Sequence, residues 1–156
     1  MAQPDPVLDV VRKDAPIIRS FDTADLSTHG AWILPRMIKA FPHMDERMAA
    51  TFLQNANYNN ECIFLYSDDG VALAQVQSGS PLDPQAVVYE RFVWVKDPTN
   101  VDMQKGAAEF YVHIQRWAKS MGAQAIIVEE NTDVPHEMIK LKLGRIFTRQ
   151  QQFSRV

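Results

Sequence analysis

The sequence predicts one α+β domain in which helices flank a mixed β-sheet, and three observations carry that prediction. Residues 87–95 form an unbroken run rich in β-branched and aromatic side chains, which is typical of a long strand. Residues 102–121 place apolar side chains three and four positions apart, as an amphipathic helix does. An Asp69-Gly70 pair separates two other β-rich runs and indicates a hairpin, because glycine accepts the positive φ of a tight turn.

The first part of the chain predicts an arm, one strand and two helices. Residues 1–14 hold two prolines and one short apolar stretch, so we expect an N-terminal arm ahead of the domain. Residues 16–19 predict the first strand. Asp22 and Asp45 precede helical apolar spacings and are expected to cap them. Pro35 is expected in a first turn or at a kink.

The rest of the chain completes the predicted order β-α-α-β-β-β-α-β-α-β. The predicted elements are strands 62–66 and 71–76, a loop over 78–85, strand 86–95, the helix over 102–121 with Gly122 at its end, strand 125–128, a helix opening at Pro135 and closing at Gly144, and a strand at 146–148.

Length and composition exclude several classes of protein. A chain of 156 residues fits one domain, which we place at residues 15–156, and 46% hydrophobic with 22% charged residues excludes disorder. No apolar run approaches the ~20 residues that cross a bilayer, and the first residues lack the layout of a signal peptide. Cys62 is the only cysteine, so an intrachain disulfide is excluded and a cytoplasmic location is expected.

Charge and residue spacing argue against two kinds of partner. The net charge of −3 disfavours a broad nucleic-acid surface, although the last seventeen residues are locally basic. The spacings His-x-x-x-His, His-Glu-x-x-His and Cys-x-x-Cys do not occur, so no metal site is predicted.

Three local motifs accompany the predicted order. The long strand ends in Val95-Lys96-Asp97-Pro98, and Gly106-Ala107-Ala108 precedes the helix stretch Trp117-Ala118-x-x-x-Gly122. The last predicted helix ends in Leu143-Gly144. From about residue 15 onward, this arrangement resembles the GCN5-related N-acetyltransferases. The chain is similar to a divergent member, since Met103 stands where the family carries Arg or Gln, and Lys140 where many members carry Tyr.

The resemblance implies acetyl-CoA as the acyl donor and an amine, on a small molecule or a protein, as the acceptor. The pyrophosphate of acetyl-CoA is expected to bind the amides of a glycine-rich turn at Gly106, Ala107 and Ala108, which opens the long helix. The backbone of Val93, Trp94 and Val95 is expected to hold the thioester and to supply the oxyanion donor.

Glu90 is the candidate catalytic base, because it is the carboxylate on this strand and an attacking amine must lose a proton. The alternative is an exposed strand residue paired with Arg91 or another cation. Tyr89 and Tyr111 are conceivable replacements for the acid that the family carries at the position of Lys140.

A different class of function stays open. A degenerate acetyltransferase scaffold, carried by a phage or another mobile element, could bind a host or virion protein without turnover. This hypothesis depends on Met103, on Lys140 and on the unmatched N-terminal arm.

Overall fold

The computed structural model describes residues 16–78, 81–82, 85–129, 131–143 and 147–149, with the backbone alone over the last range. The predicted N-terminal arm lies outside these residues, as do parts of the 78–85 loop and most of the basic C-terminal end. In the described residues, no helix is long and apolar enough to cross a membrane.

One six-stranded sheet in the order β1-β2-β3-β4-β5-β6 forms the centre of the fold. Strands β1 to β4 are antiparallel neighbours, whereas β5 runs parallel to β4 and β6 parallel to β5. The mixed α+β architecture is confirmed. The elements are β1 Arg19–Ser20, α1 Leu26–Ala40, α2 Glu46–Asn55, β2 Cys62–Ser67, β3 Gly70–Gln77, β4 Ala86–Val95, α3 Val101–Ser120, β5 Ala123–Val128, α4 His136–Leu143 and β6 Phe147–Arg149.

Helices cover the two faces of the sheet differently. Helices α3 and α4 lie on one face, called here the α3 face, where Phe110, Ile114 and Ile139 are fully buried. Helices α1 and α2 lie on the other, the α1–α2 face, where Ile33 and Leu53 are buried against Phe64, Phe92 and Trp94. The sheet is therefore the middle layer of three.

The predicted helix caps occur where the sequence indicates them. Asp22 accepts a hydrogen bond from the Ala24 amide, and the Asp25 carboxylate accepts one from the Asp22 amide, before a short 3₁₀ turn leads into α1. Asp45 caps α2 through the Met48 amide at 2.8 Å. Pro35 does not lie in a first turn, because α1 begins at Leu26 and carries this proline in its interior. The other alternative, a kink at Pro35, stays a prediction.

The hairpin at Asp69-Gly70 is confirmed, but its physical basis differs from the expected one. Gly70 pairs with Ser67 and begins β3, and its φ is not positive. A Cβ at this position would lie 2.7 Å from the Trp94 carbonyl oxygen. Glycine is therefore required by the close approach of β4 rather than by turn geometry.

Candidate functional site

Regular strand pairing is interrupted in the second half of β4. Strand β5 pairs with β4 only from Ala86 to Glu90. Arg91 is then an extra residue relative to β3, because Ala74 pairs with Glu90 and Leu73 with Phe92. This bulge sends Glu90 to the α3 face and the Phe92 and Trp94 rings to the α1–α2 face.

The free edge of this second half is covered by residues that follow β5. The Val93 amide donates to the Asn131 carbonyl at 3.2 Å, and the Asp133 amide donates to the Val93 carbonyl at 2.8 Å. The Val95 amide donates to Oδ2 of Asp133 at 3.0 Å. We call residues 131–133 the latch, since they close the edge that β5 leaves open.

The latch therefore occupies the backbone groups that the resemblance assigns to an acyl donor. The amides of Val93 and Val95 are both bonded to it. Trp94 lies between them and pairs with Val71, so its backbone groups face β3.

Glu90 lies in an enclosed polar cluster rather than on an exposed strand surface. Its side chain is completely buried, and the Tyr111 hydroxyl donates a hydrogen bond to Oε1. The Tyr111 oxygen also lies 2.7 Å from Oγ1 of Thr132, which belongs to the latch. Oε2 of Glu90 has no hydrogen-bond partner among the described residues.

Burial controls the protonation of this cluster. Loss of water raises the pKa of Glu90 well above its ordinary value, and the hydrogen bond from Tyr111 only partly opposes that rise. Burial likewise raises the pKa of Tyr111 well above its ordinary value, and the neighbouring Glu90 carboxylate adds to the effect. Burial therefore favours the neutral, protonated form of both groups relative to their forms in water.

The alternative interpretation of Glu90 as an exposed partner of Arg91 is wrong. Arg91 lies on the opposite face and donates from Nη1 to Oε1 of Glu129 at 2.7 Å. It also donates to Oε1 of Gln75, from Nε and Nη2 at 3.3 Å each. Strand alternation alone predicts this separation, because adjacent residues of a strand point to opposite faces of the sheet.

The amino terminus of α3 lies earlier than the motif indicates. Asn100 caps the helix by accepting the Met103 amide at 3.1 Å, so α3 begins at Val101. The expected turn at residues 105–108 is instead helix interior, where the amides of Gly106, Ala107 and Ala108 belong to the helical hydrogen-bond ladder.

The surroundings of that helix end are acidic. A small cleft of about 140 Å³ is lined by Asp68, Asp69 and Asp102 together with Gly106 and Ala107. Among the described residues, a Cβ on Gly106 would meet Cγ of Pro16 alone, at 3.8 Å. None of these residues therefore requires glycine at this helical position, where alanine would favour the helix by roughly 1 kcal/mol.

Two larger clefts open on the α1–α2 face. The first, about 400 Å³ in volume, is mainly apolar, with the Arg91 guanidinium as its charged group. The second, also about 400 Å³, lies beside the latch and contains Arg36, Lys39 and Trp94. The apolar lining of the first cleft consists of Met37, Ala40, Phe41, Pro42, Met44, Phe52 and Leu73.

Arg36 ties the latch to α1. Its guanidinium binds both carboxylate oxygens of Asp133, at 2.5 and 2.7 Å, and lies 4.7 Å from the centre of the Trp94 ring. Sequence reasoning did not identify Arg36, Thr132 or Asp133, because the partners are far apart in the chain and no local pattern connects them.

Comparison with known proteins identifies the architecture. No protein-family model matches the sequence, and no curated protein matches it either. A crystal structure of a probable acetyltransferase superposes with a TM-score of 0.62 at 15% identity, covering 88% of this chain and 93% of that one. The fold is that of the GCN5-related N-acetyltransferases.

Two further structures with this acetyltransferase fold are similar. An acetyltransferase from Vibrio fischeri gives a TM-score of 0.53 at 13% identity, covering 77% of this chain and 98% of that one. Glucosamine-6-phosphate N-acetyltransferase from Arabidopsis thaliana gives 0.52 at 15% identity, covering 73% of this chain and 81% of that one.

The acetyltransferase fold implies a CoA thioester, and this conformation does not fit one in the expected position. The edge amides of Val93 and Val95 are bonded to the latch. Asp68, Asp69 and Asp102 line the cleft at the start of α3, and their negative charge opposes a pyrophosphate there. No group of three or more potential metal ligands occurs in the described residues that could offset this negative charge.

Proposed function

We propose that the chain is an N-acyltransferase that moves an acyl group, acetyl in the simplest case, from acyl-CoA to an amine. The observation that carries the proposal is the end of the β4–β5 ladder at Glu90, beside which two clefts open, in a chain with the acetyltransferase fold. Strand ends that lie next to clefts are common ligand sites.

The shape of the larger apolar cleft supports an acceptor with an apolar part. Methionine and phenylalanine side chains from α1, α2 and their connection line it. An apolar ligand gains free energy by removing this surface from water, at roughly 25 cal/mol per Å².

Glu90 remains the proposed base, and Tyr111 acts with it. The Tyr111 hydroxyl lies between the Glu90 carboxyl and the latch, so a proton coming from the strand edge reaches Glu90 through Tyr111. Because the pKa of Glu90 is raised by burial, the ionised base forms only as pH rises, and turnover should increase with pH.

The test of the proposal is a calorimetric titration of the protein with acetyl-CoA, with Gly106→Glu as the variant. The new carboxylate adds bulk and a further negative charge beside Asp68, Asp69 and Asp102. If the pyrophosphate lies where the resemblance implies, affinity should fall at least about tenfold, or ~1.4 kcal/mol. Circular dichroism checks that the variant is folded. Equal affinities in two folded proteins would show that the cofactor does not lie against Gly106.

A second candidate is the non-catalytic, protein-binding scaffold, which the closed β4 edge and the acidic cleft favour. The acetyltransferase names of the similar structures do not favour it. Failure of acetyl-CoA to bind the folded protein, with the latch closed or released, would support this candidate over the enzyme.

A further inference from the structure

The latch closes the β4 edge by a mixture of backbone and side-chain bonds. Val93 and Thr132 form an isolated parallel bridge, and the two backbone bonds of the latch both involve Val93. The third bond, from the Val95 amide, ends on the Asp133 carboxylate. A continued β5 would satisfy Val95 with backbone, so the closure here depends on one side chain.

That side chain is held by a single bidentate ion pair. The Asp133 side chain is 10% exposed and the Arg36 side chain 32% exposed, so the pair is partly shielded from water. Paired geometry of this kind is among the stronger charge-assisted hydrogen bonds. Losing Arg36 from the pair would leave an uncompensated carboxylate on the latch and weaken its hold on the edge.

The groups beneath the latch are those that the proposed reaction needs. Displacing residues 131–133 would free the amides of Val93 and Val95 and remove Thr132 from the Tyr111 hydroxyl. The cluster that leads to Glu90 would then face the opened edge. One movement of a three-residue segment would thus expose both the backbone donors and the proton path.

We propose that the latch is a displaceable autoinhibitory closure, fastened by Arg36 and Asp133, which must leave β4 before an acyl donor can bind there. This inference rests on the proposed function for the identity of the donor. The movement itself can be measured without any ligand.

Hydrogen exchange of the unmodified protein tests the movement. The Val93 and Val95 amides should exchange through local opening, at least about tenfold faster than the Trp94 amide after correction for intrinsic rates. Trp94 is an internal reference, because it lies between them and faces β3. Identical protection of all three amides would show that the edge opens only by unfolding and would overturn the proposal.

Asp133→Ala tests the fastening, and Asp25→Ala is its matched control. Arg19 binds Asp25 through two bonds of 2.8 Å, and this carboxylate is also 10% exposed. Exchange at Val93 and Val95, relative to Trp94, should rise at least about tenfold in Asp133→Ala and stay unchanged in Asp25→Ala. If Asp133→Ala does not fold, Arg36→Gln releases the same pair and should raise exchange in the same direction.

Acetyl-CoA titration of the same variants separates the latch proposal from the proposed acyltransferase function. Asp133→Ala should bind acetyl-CoA at least about tenfold more tightly than the unmodified protein, and Asp25→Ala should not. Unchanged hydrogen exchange of the Val93 and Val95 amides in Asp133→Ala overturns the latch proposal, whether or not acetyl-CoA binds. Faster exchange without acetyl-CoA binding overturns the proposed function and the guarding role, while the mobile closure stands.

Discussion

The two faces of the sheet differ in which groups are buried and which are open to solvent. On the α3 face, the polar pair of Glu90 and Tyr111 is sealed among packed aliphatic and aromatic side chains. On the α1–α2 face, an apolar cleft of about 400 Å³ is open to solvent. Burying a carboxyl and leaving an apolar surface uncovered both cost free energy of folding. Each feature therefore indicates a functional site.

This difference indicates that the two faces have different roles in the proposed reaction. In the proposed function, a ligand binds the open face, whereas the closed face holds the Glu90 carboxyl, which accepts a proton only once it has ionised. The second half of β4 lies between them, with Phe92 and Trp94 toward one side and Val93 toward the other. Three predictions can break or sharpen this comparison.

The largest expected effect is on packing. Phe110→Ala on the α3 face should lower the free energy of unfolding by about 3–5 kcal/mol, because Phe110 is fully buried and its neighbours cannot collapse fully into the cavity. Phe52→Ala, at the partly exposed wall of the cleft, should cost less than half as much. Urea unfolding measures both values, and equal losses would mean that the two faces are packed alike.

Glu90→Gln tests whether the closed face holds a neutral carboxyl. The raised pKa means that the unfolded chain loses the Glu90 proton first as pH rises. The stability from keeping Glu90 neutral is thus fully present below the ordinary carboxyl pKa of 4.5 and is lost as pH rises through the folded-state pKa.

Glutamine cannot ionise, so the variant should gain stability relative to the unmodified protein as pH rises through that window. The gain should reach at most about 1.4 kcal/mol per pH unit. Urea unfolding at a series of pH values measures it. A difference that does not change with pH would contradict a neutral Glu90.

The smallest expected effect concerns the open face. An anilinonaphthalene sulfonate dye has an apolar body for the cleft and an anion for Arg91, so it should bind there. Met44→Asp should weaken binding at least about tenfold, or ~1.4 kcal/mol, by placing a charge in the apolar wall. Met48→Asp is the control, because Met48 is half exposed outside the cleft. Equal weakening in both variants would remove the cleft as the dye site.

Periodic patterns predicted the larger elements well. The apolar stripe of α3 and the β-rich run of β4 are both local signals, and each element differs from its predicted bounds by about one residue. Gly122, with φ of +73°, follows the end of α3 in the left-handed conformation expected of a helix C-cap glycine. Where the signal was weak the bounds moved, as in the first strand, which is only Arg19–Ser20.

The site could be predicted only in part, for physical reasons. Val88 and Glu90 lie two residues apart on one strand, so their shared face was deducible, but the bulge at Arg91 hides which residues follow on that face. The motif placed a glycine-rich turn at Gly106, Ala107 and Ala108, but Asn100, a preferred N-cap residue, already caps the helix, so these residues are helix interior. The pairing of Arg36 with Asp133 arises from the fold alone.

The two ends of the sheet bear on how the protein behaves when it is concentrated. An exposed edge strand is a template on which a second chain can pair, and long flat edges promote aggregation. Within the described residues, β1 has two residues and β6 has three. The β1 edge also carries the exposed Arg19, whose guanidinium lies 3.9 Å from the centre of the Tyr66 ring. The short β1 edge with its charged Arg19 gives a neighbouring molecule little backbone on which to extend a sheet, which disfavours edge-to-edge pairing at this end.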